Sequence, residues 1–131
     1  MQFTVYLYGS ADGDEVVGRA LKALARSAPE AFSAIVTGVR MLEEHGANRG
    51  LGRFDVLRHV EGGAELWEMR ASGRPAHRVL FAPVPGEDGF VLLDVIRKDE
   101  MTKGSKKYID RALERLDEWL ATGHPSEGED Q

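Results

Sequence analysis

The feature that most restricts this chain is a double change of hydrophobic period. Apolar residues recur with helical spacing in the first third, alternate in the middle, and return to helical spacing near the end. Ahead of the first helical stretch, residues 2–8 (QFTVYLY) are β-branched and aromatic with no breaker, and read as a strand that GSADGDE stops. From Asp14, Val16, Val17, Ala20, Leu21, Leu24 and Ala25 form one stripe and leave Arg19, Lys22 and Arg26 wet. Ser27 with Glu30 three residues on, and Pro29 between them, predicts a capping box for a second helix. Its stripe is Phe32, Ile35, Val36, Val39 and Leu42, and Gly46 is its expected left-handed cap.

The glycine-rich stretch GANRGLGRFD is aperiodic and reads as a loop. Four extended segments follow, at 56–59, 65–71, 76–84 and 89–97, separated by GG, SGRP and PGEDG. Turns this short imply antiparallel neighbours. In 65–71, Leu66, Glu68 and Arg70 point one way and Trp67 and Met69 the other, so one face is apolar and one carries charge. FVLLDVI is apolar on both faces except at Asp94, the pattern of a central strand. Ser105 is the expected cap of a last helix whose inner face is Ile109, Ala112, Leu113, Leu116, Trp119 and Leu120, closed by Gly123 and Pro125. The fold class is therefore α+β: an N-terminal strand, two helices, a four-stranded antiparallel meander and a C-terminal helix.

With 131 residues, 42% of them hydrophobic, the chain closes one core. Residues 1–123 are expected to form one domain and 124–131 a disordered acidic tail. The absence of cysteine excludes disulfides, thiolate zinc sites and cysteine nucleophiles, and fits a reducing cytosol. No apolar run of about 18 residues occurs and the start lacks a signal-peptide pattern, so a soluble cytoplasmic protein without a membrane partner is expected. The net charge of −5, from 22 acidic and 17 basic residues, argues against coating nucleic acid through an overall field. Charge is nevertheless uneven: Arg97, Lys98, Lys103, Lys106, Lys107 and Arg111 outnumber Asp99, Glu100 and Asp110 in one strip suited to meeting phosphate locally. The four histidines lack HExxH-like spacing, and no GxGxxG, Walker or GxSxG pattern occurs, so neither a metal nor a cofactor is expected.

Three strings taken in order, Leu66-Trp67-Glu68-Met69-Arg70, His77-Arg78-Val79-Leu80-Phe81 and Phe90-Val91-Leu92-Leu93 running to Arg97-Lys98, resemble the phage-derived HigB-like branch of the RelE/ParE toxin superfamily. Ala112, Arg115, Glu118 and Trp119 match that branch's last helix, and the resemblance spans residues 16–120. It departs where the family's H-G-F is Asp94-Val95-Ile96, and where Asp99 and Glu100 enter the basic loop.

The resemblance implies a RelE-like fold and the toxin half of a type II toxin-antitoxin pair, cutting messenger RNA on the ribosome. Its partners would be a cognate helix-turn-helix antitoxin, the ribosome and mRNA. The family reaction uses the RNA's own 2′-hydroxyl as nucleophile, with no metal; it needs a base, an acid, and cations around the phosphorane. Arg70, Arg78 and Lys98 are the candidate catalytic cations, and Arg97, Lys103, Lys106 and Lys107 the candidate RNA contacts. Arg70 and Arg78 also read as sheet-face arginines paired with carboxylates such as Glu68 or Asp94. His77, Asp94 and Tyr108 are the candidate acid and base; Asp94 also reads as a tether, and Tyr108 as a core aromatic with its hydroxyl at the rim. Two other functions fit the resemblance: a RelE-like module whose groove no longer cleaves, and a ParE-like gyrase inhibitor.

Overall fold

The computed structural model describes residues 2–60 and 65–122. Its elements are β1 (Thr4–Leu7), α1 (Val16–Ser27), α2 (Pro29–His45), a 3-10 turn (Arg49–Leu51), β2 (Phe54–His59), β3 (Glu65–Ala71), β4 (His77–Pro83), β5 (Gly89–Arg97) and α3 (Lys98–Ala121). The expected meander is present, with β3 and β5 at their expected bounds. The N-terminal strand completes it: β1 runs parallel to β5, making a five-stranded sheet of order β1-β5-β4-β3-β2. The GG turn, the closing Gly123 and Pro125, and the tail at 124–131 lie outside the described residues.

Register decides which face each side chain occupies. Asp55, Glu68, Leu80 and Asp94 are successive cross-strand partners from β2 to β5, and in the next row of the same parity Arg70 pairs with Arg78, which pairs in turn with Ile96. Arg111 and Arg115 of α3 bond Asp94, so α3 covers this face, crossing β4 and β5. The intervening row, Met69 and Val79, faces α2. There a Cβ on Gly38 would lie 2.6 Å from Met69 Sδ, so glycine lets helix and sheet approach. Met69, Val79 and Phe81 are fully buried on the side of Ala31, Ile35 and Leu42 of α2, α1 packs beside α2 on β5 and β1, and Ile109, Ala112, Leu116 and Trp119 seal the other side.

Three local expectations are corrected. Ser27 does not cap α2. Pro29 excludes the α conformation from the residue before it, so Ala28 (φ −146°, ψ 70°) breaks the chain, Ser27 becomes the last residue of α1, and no side chain caps α2. Helical structure begins earlier than Ser105: a first segment starts at Lys98, where Asp99 and Glu100 suit the helix N-terminus and buried Met101 anchors the first turns, and a kink at non-helical Gly104 (φ −145°, ψ 48°) separates it from the longer segment that runs from Ser105 as expected. Ala20, assigned to the apolar stripe, is exposed, while Val17 and Leu24 carry the burial of α1. Gly46 does end α2 at positive φ (75°), though with an extended ψ of −173° rather than a left-handed helical one.

Candidate functional site

The SGRP turn joins β3 to β4 so that Arg70 and Arg78 are direct cross-strand partners, with both side chains on the face that α3 leaves open beside β3. They line a groove of about 370 Å³ with Leu51, Gly52, Arg53 and Ser72. Each guanidinium is held by a carboxylate. Arg70 donates to Asp55 Oδ2 and, through Nη2, to the Gly52 carbonyl at 2.9 Å. Arg78 Nε lies 3.7 Å from Glu68 Oε1, and its Nη1 donates to the His77 carbonyl at 3.1 Å. A guanidinium has five N–H donors, so these contacts orient both forks and leave donors free for an anion. Arg49 Nε, 3.6 Å from Asp55 Oδ1, adds a third cation, so three arginines face two carboxylates.

The two carboxyls differ. The Arg70 hydrogen bond, reinforced by the charges of Arg70 and Arg49, holds Asp55 below the ordinary carboxylate range. Glu68 is half-buried, and loss of water raises its pKa; the charges of Arg78 and Arg70 oppose the shift and Asp55 adds to it. A carboxyl moved toward neutrality beside a guanidinium is suited to exchange a proton with a bound group. Glu68 lies within the LWEMR string, but only the register with Asp55 and Arg78 reveals this environment. Asp55 was beyond sequence reasoning for a simpler reason: it falls at the end of the glycine-rich stretch read as loop, whereas β2 begins at Phe54.

The remaining candidates separate into other places. His77 is one residue out of phase with Arg78, is 5% exposed, and its Nδ1 lies 2.9 Å from the Pro75 carbonyl, so the imidazole is turned away from the arginine pair. Asp94 is engaged by α3: Arg111 donates to Oδ2 through Nε (2.8 Å) and Nη2 (2.5 Å), and Arg115 Nη1 is 3.4 Å from Oδ1. It does not tether Arg78; Glu68 does. Tyr108 is half-buried, with Lys107 Nζ 4.9 Å and the Arg111 guanidinium 5.0 Å from its ring centre, a cation–π cluster of α3. Lys98 is exposed at the start of α3, and its amide donates at 2.9 Å to the carbonyl of Ala76, a groove-lining residue. Arg97 pairs with Asp99 at 3.0 Å, Lys106 with Asp110 at 2.8 Å, and Lys103 stands exposed in the turn before Gly104. Among the described residues no group of three His, Asp or Glu side chains is arranged to hold a metal. No helix among them is long and apolar enough to cross a membrane.

Residues 19–117 match a family model described as phage-derived protein, Gp49-like. No curated protein matches the chain. Among solved structures, the chain is similar to one described as the crystal structure of the archaeal RelE-RelB complex from Pyrococcus horikoshii OT3. Identity is 16%, the alignment covers 75% of this chain and 97% of that one, and the TM-score is 0.56. At that identity the likeness speaks for the fold, which is RelE-like.

Proposed function

Because the chain belongs to the phage-derived Gp49-like family within the RelE-like toxin superfamily, we propose that it is the toxin of a type II toxin-antitoxin pair and a metal-free endoribonuclease of ribosome-bound mRNA. The observation carrying this reading is the cross-strand pair Arg70 and Arg78, oriented by carboxylates and open to a groove. Two prepositioned forks suit a phosphate whose negative charge grows as the 2′-oxygen attacks, which is where fixed cations accelerate most. Bond formation from the 2′-oxygen to phosphorus expels the 5′-oxygen; one proton leaves the 2′-hydroxyl and one reaches the leaving group. Glu68 is the titratable group at this position, with Arg78 3.7 Å away. Lys98 stands beside the groove wall as a further phosphate contact, with Arg97, Lys103, Lys106 and Lys107 as the outer basic strip on α3.

The setting is the cytoplasm, and the partners are the ribosome with its mRNA and a cognate helix-turn-helix antitoxin. The similarity to a RelE-RelB complex supports an antitoxin partner. The neutralising carboxylates Asp55 and Glu68 favour a second reading, a RelE-like module that binds without cleaving.

Primer extension on mRNA after induction separates these readings, comparing wild type with Arg70→Ala and Arg78→Ala. Wild-type induction is expected to arrest growth and cut mRNA, and each alanine to lower cleavage by about 10²–10³-fold. Equal cleavage by all three removes the arginines from the mechanism. Intact mRNA without arrest assigns the binding module, and intact mRNA with a DNA-damage response assigns the gyrase inhibitor.

A further inference from the structure

The groove of Arg70 and Arg78 does not end at those residues. Arg53 and Ser72 also line a second, more open groove of about 580 Å³, which continues past Gly73 and Arg74 to Ser33 and Thr37 on α2. Two residues belong to both cavities, so the two grooves adjoin around the end of the sheet at the β3–β4 turn. Their charge is opposite to that of the protein: Arg53, Arg70, Arg74 and Arg78 line them against Glu30 and the two carboxylates that hold the inner pair, Asp55 and Glu68, so four cations meet three anions on a chain of net charge −5. Local reversal of sign on an acidic body concentrates anions at that place.

The two outer arginines differ from the inner pair in how they are held. Arg53 Nη1 donates to the Ala34 carbonyl of α2 at 3.1 Å, which fixes a half-buried guanidinium at the junction with no carboxylate against it. Arg74 is exposed at the turn, where no ion pair engages it among the described residues. The turn itself is fixed: Gly73 has φ +154°, and a Cβ there would stand 2.8 Å from the Ala31 amide nitrogen, so it packs directly on the start of α2.

We propose that this second arm binds the phosphate adjoining the one held by Arg70 and Arg78, so that Arg53 and Arg74 make the site a two-phosphate track for single-stranded RNA. The inference rests on reading Arg70 and Arg78 as a phosphate subsite. Ser72, Ser33 and Thr37 add hydroxyls along the arm but no base-reading pattern, so the track positions the strand and does not select its sequence. For a single strand each phosphate contact contributes about 0.7 to the slope of log affinity against log salt.

The test is fluorescence anisotropy on the full chain with 2′-O-methyl RNA, which cannot be cleaved by 2′-attack, as a dinucleotide with one phosphate and as a hexanucleotide. Arg74→Gln is expected to weaken the hexanucleotide about fivefold and lower its salt slope by about 0.7, with the dinucleotide unchanged. Arg70→Ala is expected to weaken both. If Arg70→Ala weakens both and Arg74→Gln neither, the second arm is not a phosphate site and the inner one stands. If Arg70→Ala leaves the dinucleotide unaffected, the inner subsite fails and the track with it. If Arg74→Gln spares RNA but weakens a glutamate-rich peptide, the arm serves an acidic protein segment and the track is overturned. Arg74 is exposed, so an unchanged melting temperature in Arg74→Gln verifies that binding alone is altered.

Discussion

Replacing Asp94 tests how α3 is held on the sheet. Its side chain is 7% exposed and accepts two hydrogen bonds from Arg111, at 2.8 and 2.5 Å, with Arg115 at 3.4 Å. Asp94→Ala leaves two cations without their anion. Removing one partner of a fully buried ion pair costs about 3–5 kcal/mol. Arg111 is 43% exposed and regains water, and Arg115 keeps the Leu93 carbonyl at 2.7 Å, so the expected cost falls to about 2–3 kcal/mol. Asp94→Asn retains shape and one acceptor oxygen and is expected to lose about half as much. Urea unfolding followed by tryptophan fluorescence reads this directly, because Trp119 is fully buried on α3 with its ring 5.2 Å from that of Tyr6. With a slope of about 2 kcal/mol per molar urea, Asp94→Ala shifts the midpoint down by about 1 M or more. A loss below about 0.5 kcal/mol at unchanged slope refutes the claim that this cluster pins α3. Asp94→Asn is also expected to retain mRNA cleavage; lost cleavage with stability preserved would return Asp94 to the chemistry.

Other perturbations probe separate contacts. Gly73→Ala places a side chain at positive φ and against the Ala31 backbone, and is expected to cost about 1–3 kcal/mol by urea denaturation; a neutral effect refutes the close packing of the turn. Burial, with the 2.6 Å hydrogen bond to Glu118 next, pushes the Tyr8 phenol from 10.0 up to about 12. The folded state therefore holds this proton more tightly, and its contribution is complete below pH 10 and lost as pH rises toward 12. Tyr8→Phe should flatten the decline in unfolding free energy over that window, and an unaltered decline contradicts the assignment. Glu68 has a raised pKa, so its site favours the protonated carboxyl and stability falls as pH rises above 4.5 through the folded value. Glu68→Gln is expected to remove that slope and, if Glu68 exchanges a proton in cleavage, the limb of the pH–rate profile that it sets, acidic for a base and alkaline for an acid; persistence of the slope and of both limbs excludes the role.

What was legible in the sequence is what short-range chemistry sets. Alternation located β3 and β5 to the residue, and the short SGRP turn made β3 and β4 neighbours; in the fold the connection spans residues 72–76, five in all, and because hairpin register follows turn length this sets Arg70 opposite Arg78. The resemblance carried by LWEMR and HRVLF pointed to the same fold. Even locally, competing rules needed arbitration: at Ser27 and Pro29 the restriction imposed by proline prevailed over the capping pattern.

Tertiary structure decided the pairings between residues far apart in the chain. β1 chose β5 as a parallel neighbour, Asp94 found Arg111 and Arg115, and Asp55 crossed from β2 to take the Arg70 fork. Such partners depend on which faces helices cover and how strands are ordered. By itself the chain located its strands, the stripes of its helices and two arginines on neighbouring strands; the direct pairing of those arginines, the charge state around them, and the adjoining grooves past Arg53 to Arg74 exist only once packing brings β2, the β3–β4 turn and α2 together. The physical reason is range: backbone preference and turn geometry act over a few residues, whereas burial and ion pairing depend on neighbours supplied by the whole fold.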